Sequence, residues 1–153
     1  MARRTELSSL ESHLGYWLRY VSNHVSHAFA LRLASVGVTV AEWVVLRQMY
    51  DHEELSPSVL ATSIGMTRGA ASKLIDRLVE KSLVTREGRS DDRRFQSIAL
   101  TRAGKQMVPA LASIADTNDE EFFAPLSLKE QQALVASLKK LAQAHDLRQL
   151  PTE

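Results

Sequence analysis

Apolar residues recur at steps of three and four along the first part of the chain: Leu7, Leu10, Leu14, Trp17, Val21, Val25, Ala28 and Leu31. That spacing traces one face of a helix and predicts one from about Leu7 to Ala34. Ser8 or Ser9 can cap its start, and Gly37 follows its end. The apolar stripe is longer than one small domain covers, which points to a partner helix.

Further along, capping signals mark each element. Thr39 and Glu42 have the spacing of a capping box ahead of AEWVVLRQMY, predicting a helix from Thr39 to about Tyr50. His52-Glu53-Glu54 reads as a short polar connection. Ser56 as cap and Pro57 at the first helical position open a short helix that ends at Gly65. Thr67 caps RGAASKLIDRLVEK, whose Leu74, Ile75 and Leu78 give it a buried side. Two short β-type runs, Leu83–Arg86 and Phe95–Leu100, flank the polar EGRSDDRR, the pattern of a hairpin with a long charged tip. Thr101 caps a helix running towards Phe122, with Pro109 inside it expected to kink it or loosen one backbone bond. Ser127 and Glu130 form a second capping box, for a helix from about Leu128 to His145.

The fold class expected is mainly α with a small β-hairpin (α+β). Two helices joined by a tight turn, with a hairpin directly after them, make a winged helix-turn-helix over residues 39–101. Residues 1–38 and 102–153 flank it with further helices.

Composition narrows the function. The 153-residue chain has no cysteine, so disulfides, thiolate metal sites, cysteine nucleophiles and thiol redox sensing are excluded. MARRTELSSL has no apolar signal region, and no apolar run approaches the roughly 18 residues of a membrane span. A cytoplasmic protein without membrane association is expected. No cofactor loop or nucleophile–base arrangement is present, and the five histidines are scattered, so an enzyme is not expected. His24 and His27 could ligate a metal from one face, but no third ligand stands out, and neither metal nor cofactor is expected.

Net charge is only +1, yet its distribution is uneven. Ten basic residues against five acidic ones fall between 67 and 105, while both flanks are slightly acidic. A local basic stretch is the footprint of a phosphate-binding face, although a solvated basic surface reads the same on charge alone. The pattern on the fourth helix favours DNA. Its N-terminal half carries Thr67, Arg68, Gly69, Ala70, Ser72 and Lys73, with Arg77 beyond. Short residues let a helix sit deep in the major groove, and hydroxyls and Arg can bond base edges or phosphates. Arg86 and the hairpin tip with Arg89, Arg93 and Arg94 suit a wing (residues 87–95) in the minor groove, whose negative potential attracts Arg. Asp92 could aim a neighbouring guanidinium by a bidentate pair.

Residues 56–104 resemble the MarR family of transcription regulators. DRRFQSIALTRAG carries the family's Asp-Arg-Arg wing tip (Asp92, Arg93, Arg94), then Leu100, Thr101 and Gly104. Leu60-Ala61, Met66-Thr67 and LIDRLVEKSLVTRE also match, and LGYWLRYVSN and VTVAEWVVLR extend the likeness upstream. Where the family usually has glycine this chain has Ser82, which would sit in a strained left-handed cap. The resemblance implies a homodimer with interlocking first and last helices, on a pseudo-palindromic double-stranded DNA operator; residues 1–38 and 102–153 would then be N- and C-terminal dimerisation helices, with Leu7, Leu10, Leu14 and Trp17, and Leu134, Leu138 and Leu141, as dimer residues. It also implies release by a small aromatic or phenolic effector, bound between the dimer helices and the winged domain. Tyr20, Asn23, His24 and His27 on one helical face, with Trp43, are the candidate pocket. A module that binds another protein is the competing reading; it predicts no basic focus on the fourth helix and wing.

Overall fold

Five of the helices start at a hydroxyl cap, and these caps set where the chain changes direction. The computed structural model describes residues 7–88 and 96–148. Among these, α1 is Leu14–Ala34, α2 Val40–Tyr50, α3 Pro57–Ser63, α4 Arg68–Glu80, α5 Arg102–Phe123 and α6 Leu128–Ala144. Strands β1 (Val84–Glu87) and β2 (Ser97–Leu100) lie between α4 and α5. Thr39, Ser56, Thr67, Thr101 and Ser127 each accept a hydrogen bond from the backbone N–H three residues on. At α2 and α6 the reciprocal glutamate, Glu42 or Glu130, completes the capping box.

The first helix begins later than its apolar spacing predicts. Leu10–Ser12 form a separate 3-10 turn, and His13 is extended (φ −96°, ψ 123°) before α1 starts. Local side-chain bonds compete with the helix here: Ser12 Oγ donates to Ser9 O at 2.7 Å, and His13 Nδ1 lies 2.9 Å from the same carbonyl. Ser9 flanks the 3-10 turn without a side-chain cap bond, and neither it nor Ser8 caps α1. Trp17 Nε1 donates to Glu11 O at 2.9 Å and pins the turn to the helix.

The core gathers Leu33 at the end of α1, Val45, Leu46 and Met49 of α2, and Leu60 of α3. Leu74, Ile75 and Leu78 of α4, Ile98 and Leu100 of β2, and Val108 and Leu111 of α5 join it, with Val38 ahead of α2 and Leu83 and Val84 where the hairpin begins. Ala61 is buried where α3 crosses α4, as its small size requires. The strands pair antiparallel, with Val84 opposite Leu100 and Glu87 opposite Ser97. β1 is thus shifted by one residue from the expected run, and β2 starts two residues later. Leu55 adds a bridge to Ile98, exchanging N–H···O bonds of 2.9 and 2.8 Å, and so fastens the hairpin to the segment before α3. The polar character of residues 52–54 gives no sign of it.

Pro109 does not end α5, which runs as one helix from Arg102 to Phe123. An ion pair between Arg32 and Glu121 joins α1 to α5. Gln131 Nε2 donates to the carbonyls of Phe123 (3.2 Å) and Leu126 (3.0 Å), fixing the corner into α6. Beyond this corner α6 buries none of its residues. The N-terminal two-thirds of α1 is exposed as well; its one fully buried residue is Leu33.

Candidate nucleic-acid interface

The turn between α3 and α4 is set by Gly65. Its φ of +68° lets Met66 N–H reach back to Ala61 O (2.9 Å) and Gly65 N–H to Thr62 O (3.2 Å), closing α3 with a Schellman motif. Thr67 then starts α4, its Oγ1 accepting from Ala70 N–H at 3.2 Å. Ala71, Leu74, Ile75 and Leu78 seat α4 on the core. That leaves Gly69, Lys73, Asp76 and Arg77 on the opposite face, with Arg68 at its flank. Thr67, Arg68, Gly69, Ala70, Lys73 and Arg77 are exposed, and Ser72 is half-buried. A cleft of ≈ 670 Å³ beside this N-terminal turn is lined by Ala61, Thr62, Gly65, Met66, Thr67, Arg68 and Arg148.

The far end of α4 closes with a second Schellman motif at Ser82. Leu83 N–H bonds Leu78 O and Ser82 N–H bonds Val79 O, both at 2.9 Å, with Ser82 held at φ +59°. The left-handed cap expected at this serine is present. Leu83 O then accepts from Thr101 N–H at 3.0 Å, and Thr101 Oγ1 donates to Ser82 O at 2.8 Å. Gly104 packs on the same seam: a Cβ there would lie 2.2 Å from Leu83 O. This explains a glycine three residues beyond Thr101. The first turn of α5 rides directly on the backbone that leads into β1.

Among the described residues, two of the basic residues between 67 and 105 are drawn into ion pairs. Arg86 Nη2 on β1 meets Asp76 Oδ1 on α4 at 3.0 Å, tying the hairpin root to the helix. Lys81 Nζ meets Glu42 Oε2 at 2.7 Å. Burial acts to raise the Glu42 pKa, but hydrogen bonds from Lys81 and Thr39 and the Lys81 charge outweigh it, leaving the carboxyl below its ordinary value. Sequence spacing gives no hint of the Lys81–Glu42 pair, because its partners are 39 residues apart in the chain. Arg89, Asp92, Arg93 and Arg94 of the hairpin tip lie outside the described residues.

The aromatic candidates on α1 form an exposed stack. Tyr20 and His24 have ring centroids 4.7 Å apart, and Tyr16 and Trp17 extend the row. Asn23 and His27 are exposed on the same helix, whereas Trp43 packs against the core from α2. Trp17 therefore lies outside the core, at 45% exposure, and Trp43 is partly within it. No helix among the described residues is long and apolar enough to cross a membrane.

Comparison with known proteins agrees with this geometry. Residues 36–94 match the model of the MarR family. Over 134 residues the chain is 29% identical to a protein of Thauera aromatica assigned as the transcriptional regulator of the hcr operon, covering 87% of this chain and 81% of that one. Among solved structures, the MepR–DNA complex of S. aureus superposes with a TM-score of 0.77 at 25% identity, over 86% of this chain and 98% of that one. Bordetella bronchiseptica BpsR, whose DNA binding is regulated by 6-hydroxynicotinic acid, shares the fold with a TM-score of 0.79 at 22% identity, over 89% and 97% of the two chains. Residues 36–94 thus match the MarR family model, and over most of its length the chain is similar to proteins described as transcriptional regulators.

Proposed function

We propose that the protein acts as a homodimer that represses transcription from a pseudo-palindromic operator and is released by a small aromatic or phenolic ligand. The observation that carries the dimer is α6. It holds Leu134, Val135, Leu138 and Leu141, all 38–49% exposed, and fully buries none of its residues against its own chain. Leu10 and Leu14, each 71% exposed, extend the same need to the N-terminal end. Monomeric proteins rarely leave apolar rows of this size open, and a second copy offers the matching surface. In this division residues 1–38 and 102–153 join the subunits and 39–101 meet DNA.

In the major groove, Thr67, Arg68, Gly69, Ala70, Ser72, Lys73 and Arg77 face the bases and flanking phosphates. Arg86, Arg89, Arg93 and Arg94 serve the minor groove or its phosphates, with Asp92 aiming an arginine. Arg86 does so from within its pair with Asp76, which limits its reach. For the effector, the Tyr20–His24 stack beside Asn23 and His27 offers aromatic walls and polar groups, and BpsR, alike in fold, answers to an aromatic acid.

Duplexes enriched from a random pool test this reading. Fluorescence anisotropy of an enriched duplex against its scrambled sequence, at two salt concentrations, should give preference for the enriched one. If each subunit neutralises three or four phosphates, the slope of log affinity on log salt is about −5 to −7. Equal weak binding to both duplexes, or a monomer in sedimentation at micromolar concentration, would refute it.

A further inference from the structure

Lys81 ends the helix that faces DNA, at its C-cap, and its ammonium is fully engaged. It donates to Glu42 Oε2 at 2.7 Å, to Glu42 Oε1 at 2.9 Å and to Gly37 O at 2.8 Å. An ammonium has three donors, and these bonds take all three. Glu42 is 1% exposed, and its Oε2 also accepts from Thr39 N–H at 2.9 Å. Gly37 is the left-handed residue (φ +74°) on which α1 closes. One ammonium thus joins the end of α1, the start of α2 and the end of α4. The polarity suits all three: a cation by the carbonyl-rich ends of α1 and α4, and a carboxylate at the N-terminus of α2.

The position matters because α4 is a lever. Its 13 residues span about 20 Å at 1.5 Å each. Lys81 holds one end, and Arg68 and Gly69 stand at the other. A tilt of about 5° at the held end moves the far end by roughly 1.7 Å over that length, more than the whole width of hydrogen-bond distances. Breaking one partner would also leave a charge buried without its mate.

We propose that Lys81, through Glu42, is a positioning residue for DNA recognition and not a phosphate contact: the tether fixes the tilt of α4 against the α1–α2 corner. The proposal rests on α4 being the helix that enters the groove. It assigns to one basic residue of the winged segment a task opposite to the one its charge suggests.

The test measures affinity for an enriched duplex and its scrambled sequence across a salt series. It uses the full-length wild type, Lys81→Met, and the double variant Lys81→Met/Glu42→Leu, with folding followed by circular dichroism. Both variants should lose about tenfold on the enriched duplex and far less on the scrambled one, a loss comparable to one mismatched base pair. Their salt slopes should match the wild type. The double variant leaves no carboxylate stranded, so it carries the test if Lys81→Met does not fold. A slope shallower by about 0.9 for each phosphate no longer neutralised, with equal weakening on both duplexes, would make Lys81 a phosphate ligand and overturn the proposal. So would unchanged affinity and discrimination with only a lower melting temperature. A wild type that treats both duplexes alike would instead overturn the operator reading, and it does so before any substitution is made.

Discussion

Replacing Gly104 by alanine puts a methyl group where the chain has backbone. The new Cβ would lie 2.2 Å from Leu83 O and 3.2 Å from Leu83 C. The first turn of α5 must therefore retreat by about 1 Å to reach ordinary contact, and a carbonyl cannot swing aside as a side-chain tip can. Overpacking of this kind costs about 1–3 kcal/mol. The retreat also stretches the Thr101 N–H···Leu83 O and Thr101 Oγ1–H···Ser82 O bonds across the same seam, each worth about 1 kcal/mol. A total of about 3 kcal/mol corresponds to a fall in Tm of roughly 6–12 °C for a chain of this size. Gly69→Ala is the control. It sits one position earlier in the first turn of its helix, and a Cβ there meets nothing within 4 Å. Helix propensity then predicts a gain of up to about 1 kcal/mol. Thermal melts of both variants without DNA should move in opposite directions. Anisotropy then separates stability from function: Gly69→Ala should bind the enriched duplex more weakly although it is the more stable protein, because the methyl group stands between helix and groove. A Gly104→Ala protein melting with the wild type would refute the packing argument. Undiminished DNA binding by Gly69→Ala would refute close approach at that turn.

Ser82→Gly should raise stability by about 0.5–1 kcal/mol in a urea melt, since the left-handed conformation that strains serine costs glycine little, less glycine's greater entropy in the unfolded chain. Glu42 makes stability pH-dependent: with its folded-state pKa below 4.5, its contribution is fully present above about that pH and is lost as the pH falls through the lower folded-state value. Glu42→Gln should flatten the acid limb of a stability–pH profile, read by denaturant midpoints between neutral pH and pH about 3. Leu138→Asp places a charge in the open row of α6 and should shift sedimentation from dimer to monomer, with a loss of DNA affinity well beyond that of any single phosphate contact.

Elements whose signals are local were legible in the sequence. Thr39 with Glu42, Ser127 with Glu130, Pro57 after Ser56, and Gly65 before Thr67 each act within four residues, and each sits where its chemistry indicates. The late start of α1 was not legible, because periodicity weighs apolar positions and ignores serines bonding their own backbone. The Leu55–Ile98 bridge escaped for a different reason: a single pair of backbone bonds needs no side-chain pattern. At the N-terminal end of α4, the exposed residues stand where the helical period puts them. The effector candidates divide, since Trp43 turns to the core while Tyr20 and His24 stack in solvent.

Charge counted along the sequence and charge presented in space differ for a physical reason. The basic excess between residues 67 and 105 includes Lys81 and Arg86, whose partners lie on different elements. Glu42 belongs to the acidic N-terminal flank, so a window count places it apart from the ammonium it neutralises. Asp76 sits inside the window and is subtracted, but the count cannot show that it holds Arg86 at the hairpin root. Counterion release depends on cations that can reach phosphates, whereas the orientation of α4 depends on those that cannot. The two groups separate by salt: removing a cation that neutralises a phosphate flattens the salt slope, and cutting a tether lowers discrimination while leaving the slope alone. A basic window therefore predicts that DNA is bound, while the pairing of its individual residues decides which of them steer the helix and which hold the phosphates.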